Sequence, residues 1–412
     1  GVAMRVDKND GIFMNWGADG ETLEWTRGTR FFEKSIDDIV ADHAADDEAE
    51  PTAANATELA IEFEVAAPKG ALALTNARLI PMAGNDAVID DATVLIENAR
   101  IVAAGRDVAI PADAEVIDLD GQTVIPGFID SHAHPSTDMS ALHTIEQRPF
   151  GLYASLAHGV TTVYELYGNP GHKDVWLSDM IRAGKITGPR IFTVGPPIYG
   201  LREFRPKLFR EIGSYEQALE QVRYNRDHGA TAVKDYVHFT RASRHQLTTA
   251  ARELGVNIVA ETAGNPPMNL TQVIDGQTGL EHSMGLTPLF SDVVRLLAAS
   301  EVGITPTLLV VYNGPSGQSY FDMRERVWED EKLLRFARPE RLVAARRPTH
   351  FFPDDLYAPE MAAEHRKLMQ AGVSIQMGGH GQRLGLDAHW ELELMVQGGF
   401  TLASAKLLAI FL

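Results

Sequence analysis

The chain has 412 residues, too many for one ordinary hydrophobic core, so two or three units are expected, one of them large enough for a barrel of roughly 250 residues. Its 37 basic and 56 acidic residues leave a net charge of −19, which argues against nucleic acid or an anionic membrane surface as partner. There is no cysteine, so disulfides, thiolate metal sites and a cysteine nucleophile are excluded, and no apolar run approaches the ~20 residues that span a bilayer.

The opening Gly1-Val2-Ala3-Met4-Arg5 is followed by no apolar stretch and does not read as a signal peptide. Residues 1–35 alternate short β-like runs, 11–16 and 22–26, about a hairpin turn at Asp19-Gly20. Residues 36–69 hold the acidic, Ala-rich run around Asp46-Asp47-Glu48 and read as a solvated linker. Residues 70–122 are short strands and turns, with strands over 71–80, 93–97 and 100–105. From 123 to 412 helical and β-like segments alternate, the rhythm of an α/β barrel. Eight strands are expected: the first from Val124, then 160–165, 190–195, 231–236, 257–261, 279–282, 304–312 and 373–380. Helices are expected over 150–159, 174–184, 214–228, 244–254, 270–275, 292–300 and 359–371. The excursion 314–357 breaks the rhythm on the side where active-site loops sit, and reads either as a substrate-covering lid or as a solvated helical insertion. The run Leu407–Leu412 is apolar with nothing after it, so the chain reads as a fragment of a longer protein, less stable than its parent.

The chemistry starts at Thr123–Pro135, where a β-prone segment leads into His132 and His134. On an extended chain these two side chains share a face, and two imidazoles at the end of a buried strand can grip one metal ion. Alone, the pattern also fits surface or hydrogen-bonded histidines. The full run Pro126-Gly127-Phe128-Ile129-Asp130-Ser131-His132-Ala133-His134-Pro135 resembles the first barrel strand of the amidohydrolase superfamily, metal-dependent hydrolases built on a (β/α)8 TIM-type barrel. The resemblance covers residues 70–412 and is strongest at strands one, four, six and eight. It implies that residues 70–122 are a small β-sandwich, incomplete because the strands that finish it would follow the barrel. Residues 1–35 look like the last blade of a TolB-like β-propeller, as in amidohydrolases fused behind one; a free-standing hairpin is the alternative.

The same resemblance points to Lys234 at the end of strand four, where the family places a lysine that can be carboxylated to bridge two metals, and to His282 in Gly-Leu-Glu-His as the strand-six ligand. Strands five and eight depart from the common pattern, ending in Glu261 and His380 in place of a histidine and an aspartate. His132, His134, His282 and His380 with Lys234 and Glu261 restore the usual inventory with two places exchanged, for one or two divalent ions, Zn first, Mn or Fe as alternatives. The alternative is a single ion with Glu261 or His380 merely lining the pocket. Glu261 or His380 would then carry the proton in place of the aspartate. The implied activity is hydrolysis of a C–N bond in an amide, cyclic amide or small dipeptide-like substrate by metal-activated water. The competing reading is a non-catalytic barrel that binds or scaffolds for the propeller. The expected partners are a small-molecule substrate and the propeller domain of the parent, with a homo-oligomer left open. The parent reads as periplasmic or secreted by the TolB-like resemblance, with the cytoplasm as the alternative; the lack of cysteine suits an oxidising compartment. His238, His245 and His350 have no positional argument and read as solvent-facing or locally bonded.

Overall fold

Alternating apolar residues and a tight turn build the N-terminal sheet. The structure, a computed structural model, describes residues 3–7, 11–45, 51–59, 61–83, 87–135, 149–168, 173–200, 211–236, 240–262, 264–310, 317–337, 339–346, 352, 355–401 and 404. Strands β1 (Ile12–Trp16), β2 (Thr22–Arg27), β3 (Arg30–Ser35) and β4 (Asn55–Glu58) form an antiparallel sheet in that order, with helix α1 (Ile36–Ala45) between β3 and β4. At the expected turn Asp19 Oδ1 accepts from the N–H of Glu21 and of Thr22, and Gly20 takes φ +72°. Trp25 stacks on Phe32 across β2 and β3, ring centroids 5.7 Å apart. The stretch 36–69, expected to be a solvated linker, thus carries a helix and a sheet strand. The cause is Lys34, whose buried ammonium meets Asp42 at 2.6 Å and donates to the carbonyls of Val6 and Thr52. Burying this cation draws Asp42 of α1 in to neutralise it.

Strands β5 (Ala71–Leu79), β6 (Ile89–Glu97), β7 (Arg100–Gly105), β8 (Glu115–Asp118) and β9 (Thr123–Val124) form a second sheet. Its order is β7-β6-β5-β8, with β9 also paired to β5. Among the described residues this unit is a single sheet.

The third region alternates strand and helix. It runs β10 (Phe128–Ala133), α2 (Phe150–Ala157), β11 (Val160–Glu165), α3 (Lys173–Arg182), β12 (Arg190–Thr193), then the short pair β13 (Tyr199–Gly200) and β14 (Glu211–Ile212). It continues α4 (Tyr215–Asp227), β15 (Ala232–Asp235), α5 (Arg241–Glu253), β16 (Asn257–Glu261), α6 (Pro266–Asp275), β17 (Gly279–Glu281), α7 (Ser291–Ser300) and β18 (Gly303–Thr305). After the excursion come α11 (Ala358–Gln370), β19 (Ser374–Ile375) and α12 (Leu386–Gln397), with α8 (Gly317–Glu325), α9 (Glu331–Phe336) and α10 (Pro339–Ala345) inside the excursion. Ser214, Thr240 and Asn265 cap α4, α5 and α6 by accepting from backbone N–H groups three residues on.

Parallel pairing joins β10-β11-β12 and β15-β16-β17-β18-β19. Ile198 bridges from the end of the first group to Asp235 of the second, its N–H donating to the Lys234 carbonyl. The last strand bonds back to the first: the N–H of Ser131 donates to Met377 O at 2.9 Å, and that of His380 to His132 O at 2.6 Å. The eight parallel strands overlap the eight expected stretches, except that the first starts at Phe128 and not at Val124, because Thr123–Val124 pairs with β5 of the preceding sheet. Val163, Leu280, Ile304 and Met377 lie in the buried core that the surrounding helices close over.

Two strands are much shorter than expected, the eighth being reduced from 373–380 to β19. The apolar run 304–312 gives only β18, because Glu391 of α12 accepts the N–H of Leu308 at 2.7 Å and of Leu309 at 3.1 Å, taking that backbone out of the ladder. The excursion is also not a solvated arm. Phe321 is fully buried and stacks on Trp390 of α12 at 5.2 Å; Asp322 forms a two-pronged ion pair with Arg383, both contacts 2.9 Å. His245 is exposed, as expected, whereas His238, His350 and the Leu407–Leu412 run lie outside the described residues. Among the described residues no helix is long and apolar enough to cross a membrane.

If the excursion is part of the core, Phe321→Ala should cost about 3–5 kcal/mol in a urea melt, the range for an emptied aromatic site. A loss under about 0.5 kcal/mol, the scale of a surface change, would show that it packs on nothing of consequence.

Candidate metal centre

Each of the six residues singled out in the sequence stands at or just beyond a strand end on the same side of the parallel sheets. His132 and His134 come from β10, Lys234 from β15, Glu261 from β16, His282 follows β17, and His380 follows β19. His132, His134 and His380 can offer nitrogens that all lie within 4.8 Å of one another. His282 lies beside them, its ring centroid 4.5 Å from that of His132 and 5.2 Å from that of His380. Behind this group Glu261 links two others: one oxygen is 2.9 Å from Lys234 Nζ and the second 3.1 Å from His282 Nε2. The centre therefore joins a triad of imidazoles to a Lys234–Glu261–His282 chain.

The backbone is bent to achieve this. His282 and His380 both take φ +73°, the left-handed region that non-glycine residues rarely occupy. Gly378 lets the last strand come close: a Cβ there would lie 2.7 Å from the His132 Cβ and 2.6 Å from Thr305 Cγ2.

Electrostatics favour neutral nitrogen ligands. Burial, then the neighbouring His282 and Lys234, hold His132 well below the ordinary imidazole range; burial, then His134 and His282, do the same to His380. Burial alone would raise Glu261, yet the Lys234 ammonium and His282 keep it well below the usual carboxylate range. Glu261 is thus an ionised carboxylate at a site where water is scarce.

Two carboxylates that sequence reasoning passed over complete the centre. Glu281 lies 2.8 Å from His132 Nδ1, and Glu165 lies 2.7 Å from His134 Nδ1. With the shared proton on Nδ1, each imidazole keeps the Nε2 lone pair for a ligand in the pocket, the arrangement that orients metal-binding histidines. Burial pushes Glu281 up to about 8 against the pull of Lys234. The signal for both was present: each ends an apolar strand, where a carboxylate needs a partner.

A further pair pins the loop that carries His380. Asp130 Oδ1 accepts from the N–H of His132 at 3.1 Å and of Gly379 at 2.9 Å, and Asp387 Oδ2 accepts from Gly381 at 2.8 Å. Burial, together with their mutual repulsion, raises Asp387 well above the usual range, and burial raises Asp130 to about 7.

Three close imidazoles, two with a carboxylate against Nδ1 and the third, His380, with the Gln382 amide there, are a donor set suited to a divalent cation, zinc-type chemistry above all. That fit rests on the chain's own residues.

No family model matches the chain. Among curated proteins it is 28% identical over 186 residues to the dihydroorotase of Mycobacterium tuberculosis, covering 44% of this chain and 40% of that protein. It is 25% identical over 196 residues to the adenine deaminase of Shewanella halifaxensis, covering 44% and 30%. A shorter stretch of 47 residues is 47% identical to the imidazolonepropionase of Streptomyces griseus, covering 11% of this chain and 12% of the relative. The chain spans well under half the length of these relatives. Solved structures match far more of it. A Xaa-Pro dipeptidase with bound methionine in its active site aligns with TM-score 0.60 at 20% identity over 82% of this chain and 87% of that one. The A. niger ochratoxinase aligns with TM-score 0.56 at 16% identity, covering 82% of each chain. At such identities the likeness establishes the fold.

Glu281→Gln should weaken zinc binding by about 10- to 100-fold, the range for losing a histidine's orienting partner. Calorimetric titration of the chelator-stripped chain with zinc would measure this; unchanged affinity would mean that Glu281 orients nothing.

Proposed function

From the premise that this chain is a relative of the amidohydrolases in fold and sequence, we propose that it is a metal-dependent hydrolase of C–N bonds in amides, cyclic amides or small dipeptide-like substrates. The observation that carries the reading is the His132/His134/His380 triad, with Glu281 and Glu165 against two of its Nδ1 atoms. The eight bonded strands are read as a (β/α)8 barrel, whose C-terminal face is where such a fold carries its chemistry. A divalent cation, when bound to the triad, supplies Lewis-acid activation of the attacking water and the scissile carbonyl.

The chain's own groups divide the remaining work. His132, His134 and His380 would hold the cation. Glu261 is assigned as the proton carrier between water and the leaving nitrogen on its position, buried and 3.1 Å from His282 Nε2; while the Lys234 ammonium stays paired with it, the carboxylate is held low and is a weak base. Lys234, 2.9 Å away, keeps Glu261 ionised in a setting that would otherwise protonate it. His282 holds the second Glu261 oxygen in place, while its own Nδ1 bonds to Thr307 Oγ1.

A second version of the same activity has one observation in its favour. Glu261 Oε1 and His282 Nε2 form a mixed oxygen–nitrogen pair behind the triad, and with Lys234 carboxylated they would offer a second cation a place. Metal content measured after dialysis with and without bicarbonate separates the two: one equivalent supports the Lys234 ion pair, two support carboxylation.

Hydrolysis of an amide and dipeptide panel should require metal and be lost on chelation. Glu261→Gln should cut turnover by about 10²-fold or more, as removal of a general acid–base group does. A variant with near-normal turnover and metal content would remove Glu261 from the chemistry.

A further inference from the structure

Three tyrosines gather on the rim of the centre, on the side of the second, third and fourth parallel strands. Tyr167 lies just past β11, Tyr199 in β13, and Tyr236 immediately after β15. Their rings pack on one another: Tyr236 is 5.3 Å from Tyr167 at an interplanar angle of 76°, and 5.1 Å from Tyr199 at 49°. The hydroxyls of Tyr167 and Tyr199 share a hydrogen bond of 2.8 Å, which locks the two outer rings together. All three residues are half-buried.

The cluster is tied to the metal centre by both chain and side chain. Tyr167 stands edge to face with His134, ring centroids 6.3 Å apart at 90°. Its N–H donates at 3.0 Å to Glu165 Oε1, the same oxygen that lies 2.7 Å from His134 Nδ1. Tyr167 is thus the member of the cluster in contact with the triad, and Tyr199 and Tyr236 extend from it.

We propose that Tyr167, Tyr199 and Tyr236 form the subsite that receives the substrate's side group beside the His132/His134/His380 triad, and that it selects an uncharged aromatic or planar cyclic group. This rests on the hydrolase reading above. The chemistry of the cluster favours that class of ligand. Packed aromatic rings hold another flat ring by edge-to-face and offset contact, and gain from the apolar area it buries. Phenol hydroxyls bring no charge to pair with an ionic group, and one proton of the Tyr167–Tyr199 pair is already spent between them. A small aliphatic group would leave the ring surfaces wet and gain little.

Two hydroxamates that bind metal through the same head test this on the zinc-loaded chain. Benzohydroxamate carries a phenyl ring where acetohydroxamate carries a methyl group. The phenyl probe should bind at least about tenfold more tightly, the scale expected from burying one ring. Tyr236→Ala should abolish that difference while leaving acetohydroxamate affinity and zinc content unchanged, which also reports that the variant is folded. Tyr236→Phe, which keeps the ring, should retain the preference. Equal affinities in the unaltered chain, or a preference that survives Tyr236→Ala, would overturn the subsite and leave the hydrolase reading intact. If neither probe binds the zinc-loaded chain, the metal-centre reading fails and the subsite goes with it.

Discussion

A lysine and a glutamate 2.9 Å apart, both almost wholly withdrawn from water, set the terms for everything around them. Two charges can stay ionised in such a place only as a pair, and removing either partner would strand the other. Their strands fix the meeting. Lys234 in β15 and Glu261 in β16 lie on neighbouring parallel strands, and Glu261 is in register with Glu281 of β17, the next strand along. Since the side chains of a parallel strand alternate faces, the ladder that aligns these strands also aligns their charges. His282, one residue past β17, then falls within reach of Glu261, and His132 within reach of Glu281.

The outer helices serve this arrangement more than their distance suggests. Asp387 and Glu391 stand one turn apart on α12, both buried. The first holds the loop that presents His380, and the second holds the backbone after β18. Arg383 of the same loop is gripped by Asp322 in the excursion. A segment that interrupts the strand–helix rhythm thus supports the loop carrying a triad histidine. Its burial against α12 is the physical basis for that support.

Much of the architecture was legible because the parallel strands are apolar, short and bounded by turns; the helix starts were less so, α5 and α6 beginning three to four residues earlier than expected, where Thr240 and Asn265 cap them. His132 and His134 stood out against that background at the end of a buried strand, while Lys234, Glu261, His282 and His380 were named through the resemblance to the amidohydrolases at the later strand ends. Glu165 and Glu281 carried the same signal, a carboxylate closing an apolar strand, but the imidazole that each one faces is decided by a neighbouring strand elsewhere in the chain, so neither was named. The shortened seventh strand was hidden for a related reason: an apolar run says nothing about a carboxylate arriving from a helix some eighty residues later. The acidic stretch after residue 35 misled because its composition is that of a solvated segment, while its role is set by one buried lysine.

The left-handed backbone at His282 and His380 has an evolutionary side. A conformation with φ +73° disfavours any side chain with a Cβ, and glycine would relieve the strain at either position. Selection for stability alone would therefore push both positions away from histidine. A lineage that no longer used the pocket would be expected to lose these two imidazoles early and become sturdier for it, the usual trade between stability and activity. The chain that keeps both is holding its fold short of its most stable form, and what it retains in exchange is the pocket.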